Sequence, residues 1–181
     1  ILKAYLDNYD GKVYCLVRKG AYESMEKRMM HMLMYYFDNP CEELFKDRIV
    51  CVDGDITSKE QVESFAAYKF QTLINCAACV KHFAAGDVLE KINVHGVENL
   101  IDFCKNNGRR LIQISTVSVA GEGSEGIPPK DRVFCENDLY IGQSITNEYI
   151  RTKFLAERAV LEAVSGGLDA KIIRVGNLMS R

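Results

Sequence analysis

Short apolar runs alternate with longer amphipathic stretches along the whole chain, and this alternation constrains the fold most. The runs "KVYCLV" (12–17), "RIVCV" (48–52), "QTLINCA" (71–77), "RLIQIS" (110–115) and "GLDAKIIRVG" (167–176) are short and read as buried strands. Helical spacing recurs over 21–37, near 58–68, over 86–107 and over 146–164. Strands that alternate with helices predict βαβ units and a parallel sheet. Right-handed crossovers make this a doubly wound, Rossmann-like α/β fold with helices on both faces. Gly108 is the expected stop of the 86–107 helix, and a Gly/Pro loop spans about 120–145. One domain over 1–181 suits this length.

Composition narrows the function classes. Hydrophobic residues make up 48% and charged residues 27%, with a net charge of -2, an ordinary globular balance. That charge argues against nucleic-acid binding steered by a positive field. Apolar runs stay short of the roughly 20 residues that cross a bilayer. The Met-rich "MEKRMMHMLMYYF" is interrupted by Lys27, Arg28 and His31 and reads as an amphipathic helix. Seven cysteines (15, 41, 51, 76, 79, 104 and 135), several in strand-like runs, fit a reducing cytoplasm better than a disulfide framework. The opening "ILKAYLDNYDG" has no Met and reads as part of a helix, so the chain is expected to be a fragment.

Ligands of open parallel sheets sit at the carboxyl ends of the strands. Arg18 and Lys19 end the first run, where a basic residue suits a 2′-phosphate and an acid would suit a free ribose hydroxyl. This favours NADP(H) over NAD, although a solvated basic turn has the same composition. "DGDI" ends the second run: Asp55 can accept from an adenine amino group, with Ile56 against the ring. After the third run comes "NCAAC", where Ala77 and Ala78 let a ligand approach the backbone. Cys76, Cys79 and nearby His82 suggest zinc or redox chemistry, but a structural zinc needs four ligands and a redox Cys-x-x-Cys usually opens a helix. Plain thiols, and no metal, are the expectation. The fourth run ends in "STVSVAG", which clusters the hydroxyls of Ser115, Thr116 and Ser118.

Tyr149 and Lys153 lie four apart in "TNEYIRTK" and so share a helix face. A nearby ammonium favours phenolate and lowers a tyrosine pKa from about 10 toward working pH. A lone Tyr-x-x-x-Lys is common by chance. The hydroxyl cluster at the fourth strand end makes a catalytic reading preferable.

With these residues in place, the chain resembles an extended short-chain dehydrogenase/reductase. More narrowly, it resembles the thioester reductase domains of non-ribosomal peptide synthetases and the related carboxylic acid and fatty acyl reductases. The stretches that carry the resemblance are "KVYCLVRKG", "VDGDI", "LINCAACVKHF", "INVHGVENLIDFC", "LIQISTVSVAG", "ENDLYIGQ", "NEYIRTKFLAERAV" and "AKIIRVGNLMSR". The resemblance implies a catalytic triad of Thr116, Tyr149 and Lys153, with Lys153 also on the nicotinamide ribose. It implies Arg18 and Lys19 at the 2′-phosphate, Asp55 and Ile56 at adenine, and Asn75, Ala77, Ala78 and Ser115 beside the cofactor. Asn93 matches a family asparagine with a structural or proton-relay role, and Val175 to Asn177 match the loop beside the nicotinamide, where many relatives have Pro at the Val175 position. The family's first strand and Gly-rich phosphate loop have no counterpart here, nor does its substrate-binding portion.

The implied reaction is reductive release of a phosphopantetheine-tethered acyl or peptidyl chain, with a carrier domain as partner and NADP(H) as cofactor. A nucleotide-sugar epimerase or dehydratase would use the same triad. A non-catalytic docking module would keep only the fold.

Overall fold

The computed structural model describes residues 1–18, 20–37, 48–80, 87–124 and 133–176. Lys19, Cys41, His82 and Asn177, named above, lie outside the described residues. The chain divides into two compact units, Ile1–Tyr68 and Lys69–Arg181.

The first unit runs α1 (Leu2–Asn8), β1 (Val13–Val17), α2 (Met25–Met34), β2 (Ile49–Asp53) and α3 (Lys59–Glu63), which tightens into a 3-10 turn, Ser64–Ala67. β1 and β2 pair in parallel, from Val13 opposite Ile49 to Val17 opposite Asp53. Ser24 and Ser58 start α2 and α3 by accepting from the Lys27 and Gln61 amides, which satisfies otherwise orphaned donors. The Arg48 guanidinium closes α1 at its other end, donating to the carbonyls of Leu6 and Tyr9. Leu6, Leu33 and Ile49 form the core beneath.

The second unit contains β3 (Thr72–Asn75) and a long helical element, α4, which passes through Val88–Glu90, a π-helical stretch Lys91–His95 and Gly96–Asn107. β4 (Arg110–Thr116), a 3-10 turn Val117–Ala120, β5 (Glu122–Ser124), β6 (Gln143–Ser144), α5 (Glu148–Ser165) and β7 (Ala170–Val175) follow. The strand order is β3-β4-β7, parallel throughout, with β4 central. Parallel neighbours need a crossover, and α4 and α5 supply the two. The α/β class with parallel sheets and packed helices is therefore as expected. Gly108 ends α4 at φ 59, a left-handed conformation that any other residue would adopt only with strain.

Side chains alternate across a strand, and β4 uses its two faces differently. Leu111, Gln113 and Ser115 are buried beneath α4 and α5. Ile112 and Ile114 point the other way, where Ile74 and Ile173 stay 42% and 48% exposed. The 120–145 region differs from the expected loop: β5 and β6 pair antiparallel within it. Among the described residues no helix is long and apolar enough to cross a membrane.

The two faces predict unequal mutational costs. Leu111→Ala removes a wholly buried side chain and should cost about 2–5 kcal/mol. Ile173→Ala, on the open face, should cost far less in the same denaturant melt. Equal losses would contradict this assignment of faces.

Candidate functional site

In the second unit, one polar network joins the carboxyl ends of the strands to α5. Asn75 ends β3, is buried, and donates to the Gln113 side-chain oxygen at 2.9 Å. Its own oxygen accepts from the Ala77 amide at 3.0 Å, which shapes the turn after the strand. Gln113 donates to the Ile114 carbonyl at 3.0 Å, and Lys153 Nζ reaches the same carbonyl at 2.8 Å. Lys153 is therefore aimed at the end of β4, two residues before Thr116. Cys76, Ala77 and Ala78, on the turn after β3, are exposed.

Asn93 works from below. Its oxygen accepts from the Cys79 amide at 2.8 Å, and its nitrogen donates to the Cys79 carbonyl and to Thr152 Oγ1, each at 3.0 Å. Thr152 in turn donates to the Tyr149 carbonyl at 2.8 Å. One fully buried amide thus fastens the turn after β3 to the helix turn that carries Tyr149. The π-helical stretch around it supplies the angle, and such bulges are frequent at functional sites. Of the two roles expected for Asn93, the structural one has this geometry behind it.

Thr116 Oγ1 accepts from the Ser118 amide and bonds Ser118 Oγ, both at 3.1 Å, so it caps the 3-10 turn. Ser115, expected beside the cofactor, lies near the end of β4. It is 5% exposed on the helix-covered face, and its hydroxyl finds no hydrogen-bond partner. Val175 is half-buried at the end of β7.

The acid–base balance also differs from the expected one. Burial pushes the Tyr149 phenol above its ordinary value, not below it. Burial pulls the Lys153 ammonium below its ordinary value, opposed by Glu157 and Cys76. The physical reason is that Tyr149 is half-buried and Lys153 is buried, with its ammonium directed to the Ile114 carbonyl. A phenol held up in this way stays protonated at neutral pH, which suits a proton donor.

Several residues of this region carry no motif. Glu157 is wholly buried on α5, and Arg174 of β7 meets it with Nε 3.2 and 3.1 Å from the two carboxylate oxygens and Nη2 at 2.7 Å. Gln143 is buried and donates to the Val119 and Leu139 carbonyls at 3.1 and 2.7 Å, tying β6 to the turn after Thr116. A charged residue inside an apolar strand ("IIRVG") and a glutamate one turn beyond Lys153 were the signals available.

In the first unit, Arg18 is exposed at the end of β1 and pairs with Asp55 at 3.1 Å. Asp55 also accepts from the Thr57 amide at 2.9 Å. Burial works to raise its carboxyl, but the bonds from Thr57 and the Arg18 charge outweigh it and leave it below the ordinary value. Ile56, expected against the adenine ring, is 8% exposed and belongs to the buried apolar residues. Among the described residues no group of three His, Cys, Asp or Glu side chains is placed to hold a metal.

A family model described as that of the male sterility protein, an NAD-binding family, matches residues 1–181, and the chain belongs to this family. A thiolation-reductase di-domain from an archaeal non-ribosomal peptide synthetase superposes with a TM-score of 0.91 at 40% identity, covering 99% of this chain and 39% of that one. The reductase domain of the aureusimine biosynthetic cluster gives a TM-score of 0.81 at 35% identity, covering 99% and 46%. A linear gramicidin synthase protein of Brevibacillus parabrevis is 26% identical over 187 residues, 98% of this chain and 4% of that protein. The chain spans less than half the length of each.

The Asn93 hub predicts a local signature. Asn93→Leu should speed hydrogen exchange of the Cys79 amide and destabilise the domain by about 1–3 kcal/mol, the cost of leaving buried polar groups unpaired. The Ala77 amide, held by Asn75, should stay protected. Equal deprotection of both amides would show that Asn93 holds no separate joint.

Proposed function

We propose that the domain reduces a phosphopantetheine-tethered acyl or peptidyl thioester, with NADP(H) as cofactor, and releases the chain as an aldehyde. The observation that carries this reading is the grouping of Thr116, at the end of β4, with the helix that bears Tyr149 and Lys153, the latter bonded to the Ile114 carbonyl at 2.8 Å. The 40% identity to a thiolation-reductase di-domain supports it. The described residues fit such a cofactor: exposed small residues follow β3, and Lys153 spends one N–H on Ile114, leaving two for a ribose. Arg18 would meet a 2′-phosphate, exchanging its pairing with Asp55 for a stronger anion.

The bound cofactor supplies hydride to the thioester carbonyl carbon. Thr116 and Tyr149 would donate hydrogen bonds to the carbonyl oxygen as charge develops on it, a contribution that preorganised donors make well. Tyr149 then gives up its proton, and Lys153 stabilises the phenolate left behind. The hemithioacetal so formed expels the pantetheine thiol, with its hydroxyl proton balancing the sulfur, and leaves the aldehyde. A second round would give the alcohol. The carrier domain that bears the thioester is the partner this reaction requires.

Tyr149→Phe should abolish NADPH oxidation driven by an acyl-pantetheine thioester in the full-length protein while leaving NADPH affinity nearly intact. Full activity in that variant would sink the assignment. Activity should hold through neutral pH and decline on the alkaline side, because Lys153, with its lowered pKa, loses its proton as pH rises. Arg18→Ala should weaken binding of 2′,5′-ADP by about tenfold or more, the worth of a charged hydrogen bond, and leave 5′-ADP binding almost unchanged. Equal weakening of both ligands would reject NADP(H) selection by Arg18.

A further inference from the structure

Arg174 uses all of its nitrogens. Besides the two carboxylate oxygens of Glu157, its guanidinium reaches the carbonyls of Cys135 at 3.2 Å, Glu136 at 3.4 Å and Asp138 at 2.6 Å. Its carbon lies over the Phe134 ring, 4.8 Å from the centroid. Thirty-six to thirty-nine residues of chain separate these carbonyls from Arg174, so the contacts are tertiary. Among the described residues the segment closes on itself through a small turn, in which Asp138 accepts from the Cys135 amide at 2.7 Å and its own amide donates to the Cys135 carbonyl at 3.1 Å. Arg174 is therefore its main tie to β7.

Glu157 is what allows the arginine to stay there. A guanidinium only 14% exposed needs a counter-charge, and the Glu157 side chain is 0% exposed. Glu157 lies one helical turn after Lys153 on the same face, and its charge also bears on the Lys153 ammonium. One carboxylate thus addresses both the lysine at the end of β4 and the arginine that holds the following loop.

We propose that Glu157 and Arg174 are positioning residues that fix the 133–138 segment as a wall of the substrate site in register with Lys153. Neither needs to touch the substrate. The kinetic half of this proposal rests on the thioester reductase reading; the structural half does not.

The test uses the full-length protein and two variants. Arg174→Lys keeps the positive charge and loses most of the donors. Chymotryptic cleavage after Phe134 should then quicken by about tenfold or more, since several hydrogen bonds that hold the segment are lost together. KM for an acyl-pantetheine thioester should rise while kcat is largely kept. Glu157→Gln removes the carboxylate charge that faces Lys153. The other ionisable group bearing on that ammonium, Cys76 on the turn after β3, remains. The alkaline limb of kcat should shift to lower pH, and Glu157→Asp should restore it in part. If Glu157→Gln does not fold, the Arg174→Lys cleavage pattern and KM decide the matter alone. Cleavage after Phe134 no faster than at other sites, with KM unchanged, would overturn the proposal. An active Tyr149→Phe enzyme with fast Phe134 cleavage in Arg174→Lys would instead reject the reaction and keep the positioning role.

Discussion

A carboxylate cannot be buried alone. Stripping its water costs several kcal/mol, and only a well-placed cation and a full set of hydrogen bonds offset that. Glu157 has no solvent contact, so α5 and β7 must meet where Arg174 can reach it. That requirement sets how the helix lies on the sheet. It also helps determine where Lys153 lands, because the two residues share one face of α5 and both are buried against the strands. The pairing is a poor source of stability compared with apolar packing, yet it leaves the helix few alternative rotations. A helix held only by Ala156, Val160 and Ala163 could turn a little about its axis and still bury them.

The remaining polar groups of the second unit obey the same rule at lower cost. Asn75, Gln113, Asn93 and Thr152 are all buried and all hydrogen-bonded, so the interior polar network is nearly closed. Among the described residues of this unit, Ser115 Oγ and Arg109 Nε are the exceptions, buried with no hydrogen-bond partner. Network members on β3, β4, α4 and α5 bring separate strand ends to one place. The exposed small residues after β3 lie within reach of this rigid floor and are themselves tied to it through the Ala77 and Cys79 amides.

The strands and the long helices were legible because each carries its own signal: a short β-branched run, a helical period, a glycine stop. Gly108 is where the sequence predicts it, and the left-handed backbone gives the reason. The π-helical stretch was not legible, since "KINVH" has ordinary helical composition. β5 and β6 are too short, and too rich in Gly and Ser, to show a period. Arg174 stood out as a charge within an apolar run, but its partners could not be named, because backbone carbonyls carry no residue identity. The placement of Tyr149 and Lys153 on one helix was legible. Their acid–base balance was not, because it depends on burial, whereas the spacing speaks only of the ammonium. The burial of Ile56 and Ser115 was not legible either, because it depends on what packs over each residue and not on the residue's own type.

The clamp at Arg174 also bears on the order in which the domain comes together. β4 acquires its neighbours through helical crossovers, so both pairings close long loops, and such contacts form late. The 133–138 segment can be gripped only after β7 has docked on β4 and α5 has delivered Glu157. Collapsed intermediates that hold β3, β4 and α4 would therefore possess a sheet and a core but no anchored 133–138 segment. Anchoring of that segment would then be among the last steps of folding, and a half-assembled chain would leave it open to proteases after the sheet has formed.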